Sequence, residues 1–268
     1  MKTGFNDLDK IIDITNDKLI VLGARPAMGK SVFALNILSN LAINQNKAVL
    51  YFDLETGKEE IVSRFIISNA MVKYTKFRRI KDPKILGEEL TEEDWDRISY
   101  ASSLLKEAPI YIEDKPGISV NEICEKARKL KEKNDIQFIA IDYLQLIKYE
   151  ELDCLSRENQ IQEILKQLKN LAKELNISIL VLSQLSRQPE KRTDHRPILT
   201  DFSDSKVGIE NYADIVLFLY RDSYYDLDTP KKHIAEIIVT KNPTNCGAVE
   251  VAWLPEYFKF GNYLKMEV

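Results

Sequence analysis

The stretch Leu19-Ile20-Val21-Leu22-Gly23-Ala24-Arg25-Pro26-Ala27-Met28-Gly29-Lys30-Ser31 decides how this chain is read. Its apolar, partly β-branched start predicts a short buried strand over Leu19–Gly23. From Ser31 to Asn44, Phe33, Leu35, Ile37, Leu38 and Leu41 recur near helical spacing. The segment between them has the form of a loop that wraps backbone N–H groups around phosphate oxygens at the positive end of a helix. Gly29 allows close approach, Lys30 brings a compact charge to the β- and γ-phosphates, and Ser31 is a ligand for Mg²⁺. Ala24, Arg25, Pro26, Ala27, Met28, Gly29, Lys30 and Ser31 are therefore expected to form the binding loop of a nucleoside triphosphate. One departure is visible: the strict pattern has glycine where this chain has Ala24, with Gly23 one residue earlier.

Short apolar runs alternate with amphipathic helical stretches on either side of this loop. Further strands are expected at Ala48–Leu54, Pro109–Glu113, Phe138–Asp142, Ile177–Ser183 and Asp214–Tyr220. That alternation predicts an α/β fold, a mostly parallel sheet covered by helices. Near the C-terminus, His233–Lys241, Ala248–Trp253 and Tyr257–Phe260 read as antiparallel strands, with a hairpin turn over Pro243–Gly247. Thr91-x-x-Asp94 and Ser119-x-x-Glu122 both read as helix starts. Arg157–Leu175 reads as a long amphipathic helix, and Lys148–Ser156 and Arg187 to about Glu210 as long loops.

Composition narrows the function classes. A net charge of −4 gives no global attraction to polyanions, so any nucleic-acid contact has to be local. Cys124, Cys154 and Cys246 are widely spaced and odd in number, which suits a reducing compartment better than a disulfide framework. The two histidines, His195 and His233, argue against a histidine-based metal site. No stretch approaches the ~18 apolar residues of a membrane span, and Met1–Phe5 lacks a signal-peptide run, so a cytoplasmic protein with no membrane partner is expected.

Three further elements have the chemistry of nucleotide hydrolysis. Asp142, at the C-terminal end of an apolar strand, faces the crevice where open α/β sheets bind ligands and can hold Mg²⁺. Glu55, at the end of the strand after the loop helix, is either a general base for the attacking water or a cap for a helix beginning near Lys58. Gln184 can sense a γ-phosphate by hydrogen bonding without adding charge, or is an ordinary loop glutamine.

Together these segments resemble the C-terminal ATPase domain of the DnaB-type replicative DNA helicases, built on the RecA-like fold. The likeness begins at Thr3-Gly4-Phe5-Asn6-Asp7-Leu8-Asp9 and runs through Ala24-Arg25-Pro26 and Leu54-Glu55. It continues in Asp142-Tyr143-Leu144-Gln145-Leu146, Leu182-Ser183-Gln184-Leu185-Ser186-Arg187, Ala213-Asp214-Ile215-Val216 and Leu219-Tyr220-Arg221-Asp222. The last four are far more specific than a phosphate loop, and the Asp142–Leu146 and Leu182–Arg187 segments argue against recombinase-like or circadian-clock-like relatives. The resemblance implies one ATPase domain over residues 1–268, without the N-terminal helical domain of the family. It also implies ATP and Mg²⁺ as cofactors, Glu55 as catalytic glutamate, Asp142 as metal-side acid and Gln184 as γ-phosphate sensor. For partners it implies a homo-oligomeric, usually hexameric ring around single-stranded DNA, with a primase or a helicase loader.

Two departures bear on activity. The family's Lys-x-Arg pair, whose arginine reaches a neighbour's ATP, reads Lys241-Asn242-Pro243 here, and no arginine occurs in His233–Val268. Lys241 matches the lysine and Pro243 replaces the arginine. On the DNA side, Arg187 and Arg192 are expected contacts within a basic cluster that includes Lys191 and Arg196, and Lys206 is a third, further on, where the family's Arg-Glu-Ser-Gly reads Ser203-Asp204-Ser205-Lys206. The first long loop is acidic instead, at Glu150, Glu151 and Asp153. The alternative reading is a diverged ATP-binding assembly module with weak hydrolysis and little unwinding.

Overall fold

The computed structural model describes residues 1–82, 84–85, 88–149, 156–202 and 208–264. Nine strands form one sheet in the order β3-β2-β4-β5-β1-β6-β7-β8-β9. These are β1 (Leu19–Ala24), β2 (Val49–Asp53), β3 (Ile110–Glu113), β4 (Phe138–Asp142), β5 (Ser178–Gln184), β6 (Ile215–Tyr220), β7 (Ile234–Lys241), β8 (Gly247–Leu254) and β9 (Lys259–Asn262). The first six pair in parallel and the last three are antiparallel. Every expected strand is present, with ends shifted by a residue or two. The hairpin between β7 and β8 pairs Val239 with Gly247, as the turn residues imply.

Because β1, β2, β4, β5 and β6 are buried along their length, they read as unbroken apolar runs. Alternate side chains feed two cores on opposite faces. One core holds Tyr51, Ala140 and Leu182 with Phe33, Leu35 and Leu38 of the helix after the loop; the other holds Phe52, Ile141 and Val181 with Ile161, Leu165 and Leu168.

The helices are α1 (Leu8–Ile11), α2 (Lys30–Ser39), α3 (Lys58–Ala70), α4 (Tyr74–Lys81), α5 (Glu92–Glu107), α6 (Val120–Asn134) and α7 (Arg157–Leu175). α2 runs on through Asn40–Asn44 as one wider π turn, which together fill the expected helical span. Both helix-start motifs are reciprocal capping boxes, Thr91 with Asp94 on α5 and Ser119 with Glu122 on α6. α1 and α4 have no clear signal in the sequence. α4 is short and rich in cations, and its Phe77 is buried only in a small cluster with Ile67, Val72 and Ile98 from neighbouring helices.

The segment after β5 is not an open loop. It holds single 3₁₀ turns at Gln188–Lys191, Leu199–Asp201 and Ile209–Asn211, and Leu185 bridges Phe202. Among the described residues no helix is long and apolar enough to cross a membrane.

Candidate nucleotide site

β1 lies near the middle of the sheet, and its C-terminal end delivers the loop Ala24–Ser31 to the edge where β2, β4 and β5 also end. Gly29 is the N-cap of α2 at φ 103°; no side chain caps that end and no acid lies in its first turn. The positive helix end is therefore left open to an external anion. A Cβ at Gly29 would be strained at that φ and would meet Phe260 at 3.0 Å and Trp253 at 3.3 Å. Those two rings pack at 4.4 Å and back the loop. On the crest, Arg221 donates to the Ala27 carbonyl at 2.7 Å while its guanidinium lies 4.9 Å from the Trp253 ring centre.

Ala24 is the last residue of β1, paired with Gln184, and its backbone is ordinary strand, so no glycine is required there. Gly23 does not stand in for the missing glycine. It serves packing, since a Cβ there would meet Leu185, Phe202 and Phe218 at 2.9 Å. The Arg25 side chain has partners within the chain. Its Nη1 donates to the Leu185 carbonyl at 2.8 Å, and its Nη2 and Nε donate to Glu190 at 2.6 and 3.1 Å. The Arg25 side chain is tied to the segment after β5.

Asp142 ends β4, directly opposite Asp53 on β2. Its Oδ2 accepts from the Tyr51 hydroxyl at 2.9 Å, while its Oδ1 is buried without a hydrogen-bond partner. Burial pushes the Asp142 carboxyl up, and the Ser31 hydroxyl, the Lys30 charge and Tyr51 oppose that shift. Burial in turn pushes the Lys30 ammonium down, opposed by Asp142 and Glu55. An orphaned carboxylate oxygen near a serine hydroxyl fits a hard divalent cation that takes oxygen ligands. Among the described residues no group of three or more His, Cys, Asp or Glu could hold a metal. Mg²⁺ keeps waters and binds through one or two protein oxygens plus phosphate, and the Ser31 hydroxyl and Asp142 Oδ1 are the oxygens that could hold it.

Glu55 is exposed, within electrostatic reach of Lys30 and Tyr143. It does not cap α3. The turn before that helix is organised by Asp53, whose carboxylate accepts from the Thr56 hydroxyl and the Gly57 amide, both at 2.5 Å. The first amide of α3, from Lys58, donates to Asp114 at 3.0 Å. Gln184 ends β5, and its backbone amide donates to Gln145 Oε1 at 3.2 Å. The Gln145 amide nitrogen donates to Ser183 at 3.1 Å, so the segment after Asp142 is clipped to the end of β5. Asp142 and Gln184 thus end adjacent strands, Glu55 lies two residues past the end of β2, and Lys30 and Ser31 begin α2 after β1.

The expected DNA contacts fare differently. Arg187 is exposed. Arg192 forms a fork on the buried Asp201, with Nη1 and Nη2 at 2.7 and 2.6 Å from its two oxygens. Arg192, an expected DNA contact, therefore also braces its own loop. Arg196 likewise grips Glu236 at 2.6 and 2.8 Å. Lys206 and the acidic stretch 150–155 lie outside the described residues. Lys241 donates to the carbonyls of Glu210 and Ala213 at 2.5 and 2.6 Å within its own chain.

Sequence reasoning misses Tyr51, Asp53, Gln145 and Glu190 as members of the site or its supports. Tyr51 carries the one usable signal, a phenol inside a strand otherwise apolar up to Asp53.

The DnaB-like helicase C-terminal domain family model matches residues 1–262. The chain is 41% identical to the replicative DNA helicase DnaC of Bacillus subtilis and 40% identical to the replicative DNA helicase DnaB of Geobacillus stearothermophilus, in each case over 97% of this chain and 56% of that protein. It thus spans little more than half the length of these relatives. Among solved structures, an ATPase domain superposes with a TM-score of 0.90 at 37% identity, over 98% of this chain and 91% of that one. A DnaB-like replicative helicase whose interactions with primase were described gives the same score and identity, over 98% of this chain and 63% of that one. With its mostly parallel, RecA-like sheet and a family match over nearly its whole length, the chain belongs to the DnaB-like helicase C-terminal domain family.

Proposed function

We propose that this chain is the ATP-binding and ATP-hydrolysing motor of a replicative DNA helicase acting on single-stranded DNA. The observation that carries this reading is the meeting of Lys30, Ser31, Glu55, Asp142 and Gln184 at one sheet edge, around an uncapped helix end. Lys30 and the open amides of the loop hold the β- and γ-phosphates. Ser31 and Asp142 Oδ1 hold Mg²⁺, which when bound neutralises phosphate oxygens. Glu55 accepts the proton of the attacking water, and Gln184 hydrogen-bonds the γ-phosphate.

ATP sites at subunit boundaries of a homo-oligomeric ring, hexameric in the family, follow from the same reading, as does a primase or a loader as partner. In that ring Lys241 would have to exchange its own-chain carbonyls for a neighbour's nucleotide. Arg187, exposed in the segment after β5, is a candidate contact for DNA.

The test is ATPase rate with and without single-stranded DNA at several protein concentrations. A rate stimulated by DNA and cooperative in protein supports the motor. A flat, near-zero rate with retained nucleotide binding overturns it in favour of an assembly module.

A further inference from the structure

Tyr51 and Asp142 lie on adjacent parallel strands, with Tyr51 opposite Ala140 and Asp53 opposite Asp142. Strands rise ~3.3 Å per residue, so Asp142 stands about 6.6 Å further along the sheet than Tyr51, close to the reach of a phenol side chain. The small Ala140 beside it leaves that lane open. The ring packs in the same apolar cluster as Val49, Phe138 and Ala140, all fully buried. A phenylalanine would satisfy that packing equally well. Burying a hydroxyl without a partner is unfavourable, so the oxygen belongs here only because it has something to bond. It donates to Asp142 Oδ2 at 2.9 Å, while Asp142 Oδ1 is buried with no hydrogen-bond partner.

We infer that Tyr51 is a positioning residue for the metal: its hydroxyl holds the Asp142 carboxylate by one oxygen so that Oδ1 is the one left to take Mg²⁺. The inference rests on the assignment of Asp142 as the metal-side acid. Mg²⁺ demands near-ideal octahedral geometry, so a ligand oxygen fixed in direction binds it better than a carboxylate free to rotate. Partners that orient a metal ligand matter in just this way, and losing one costs ~10–100-fold in metal affinity. Asp53 does not compete for the role, because its carboxylate is occupied by Thr56 and Gly57.

The experiment is a titration of a fluorescent ADP analogue at a series of MgCl₂ concentrations, and in EDTA. It uses the chain as it stands, Tyr51→Phe, Asp142→Asn and the double variant. Nucleotide binding in EDTA reports a folded site and should be retained in Tyr51→Phe. The Mg²⁺ concentration at half-effect should rise about tenfold in Tyr51→Phe, with no further rise when that change is added to Asp142→Asn. An unchanged Mg²⁺ dependence in Tyr51→Phe, with Asp142→Asn shifted, overturns the role of Tyr51 alone. An equal shift on the Asp142→Asn background overturns it too, because Tyr51 would then act elsewhere. If Asp142→Asn itself leaves the Mg²⁺ dependence unchanged, the assignment of Asp142 falls and the inference falls with it.

Discussion

Arg25 in the phosphate-binding loop is tied to Glu190 beyond β5, with Nη2 and Nε donating to one carboxylate oxygen at 2.6 and 3.1 Å. The arginine side chain is only 9% exposed and the glutamate 39%. The pair links the nucleotide loop to the segment that carries Arg187 and Arg192, so movement in one is felt in the other.

Glu190→Gln keeps the shape and removes the charge that Arg25 faces. Arg25 retains the Leu185 carbonyl, and Glu190 is partly in solvent, so the cost to stability should be modest, about 1 kcal/mol. The loop loses a tether, and nucleotide binding should weaken about tenfold. Urea unfolding and nucleotide titration measure the two effects separately. An unchanged affinity would show that the strut does not position the loop.

Gly29→Ala should be costlier. The residue sits at φ 103°, and the added methyl meets the Phe260 ring at 3.0 Å. Backbone strain of this kind costs ~1–3 kcal/mol, and relief requires moving the loop off its aromatic backing. Nucleotide binding should fall below detection while the far-ultraviolet circular dichroism of the sheet and helices persists. Retained binding would mean that the loop tolerates a different backbone at this point.

Pro243→Arg tests whether the hairpin of β7 and β8 lacks a charge that hydrolysis needs. An arginine acting on a neighbour's nucleotide is worth ~10³–10⁵ in other NTPases, so even partial placement should raise DNA-stimulated turnover about tenfold or more. The gain should appear only at protein concentrations that support assembly. A rate no different from that of the unaltered chain would indicate that the charge comes from elsewhere or is not needed.

Lys241→Ala separates two roles of one lysine. Its ammonium bonds the Glu210 and Ala213 carbonyls, bracing the 3₁₀ turn Ile209–Asn211. Loss of that brace should cost about 1 kcal/mol of stability in urea. Activity regained on mixing Lys241→Ala with Lys30→Ala chains would require a site shared between subunits. No regained activity would confine Lys241 to its own chain.

Stability should carry a low-pH signature from the α5 capping box. Asp94 accepts from Lys76 at 2.8 Å and from the Thr91 amide at 3.0 Å, and these bonds hold its carboxyl down at about 2. Its folded-state pKa is below its unfolded value, so this contribution is complete above the ordinary carboxylate range. It is lost as pH falls from about 4 toward 2. It should amount to ~1 kcal/mol, and Asp94→Asn should both remove it at neutral pH and flatten that part of the stability–pH curve.

What the sequence by itself determined is what local chemistry specifies. The loop Ala24–Ser31, the strand-ending Asp142, Glu55 just past β2, the two capping boxes and the helix Arg157–Leu175 each rest on spacing within a few residues, and each lies at the expected place in the fold. Tertiary structure decided everything that depends on two distant segments meeting. Arg25 and Glu190 are far apart in the chain, and the parallel pairing of β1 with β5 brings them together. Arg192 reads as one cation of a basic cluster, and the fold adds its ion pair with the buried Asp201. Tyr51 reads as core until β2 and β4 align and bring its hydroxyl to Asp142. Charged and polar side chains find their partners through the sheet, and their roles follow from the register that sets which atoms come within hydrogen-bonding distance.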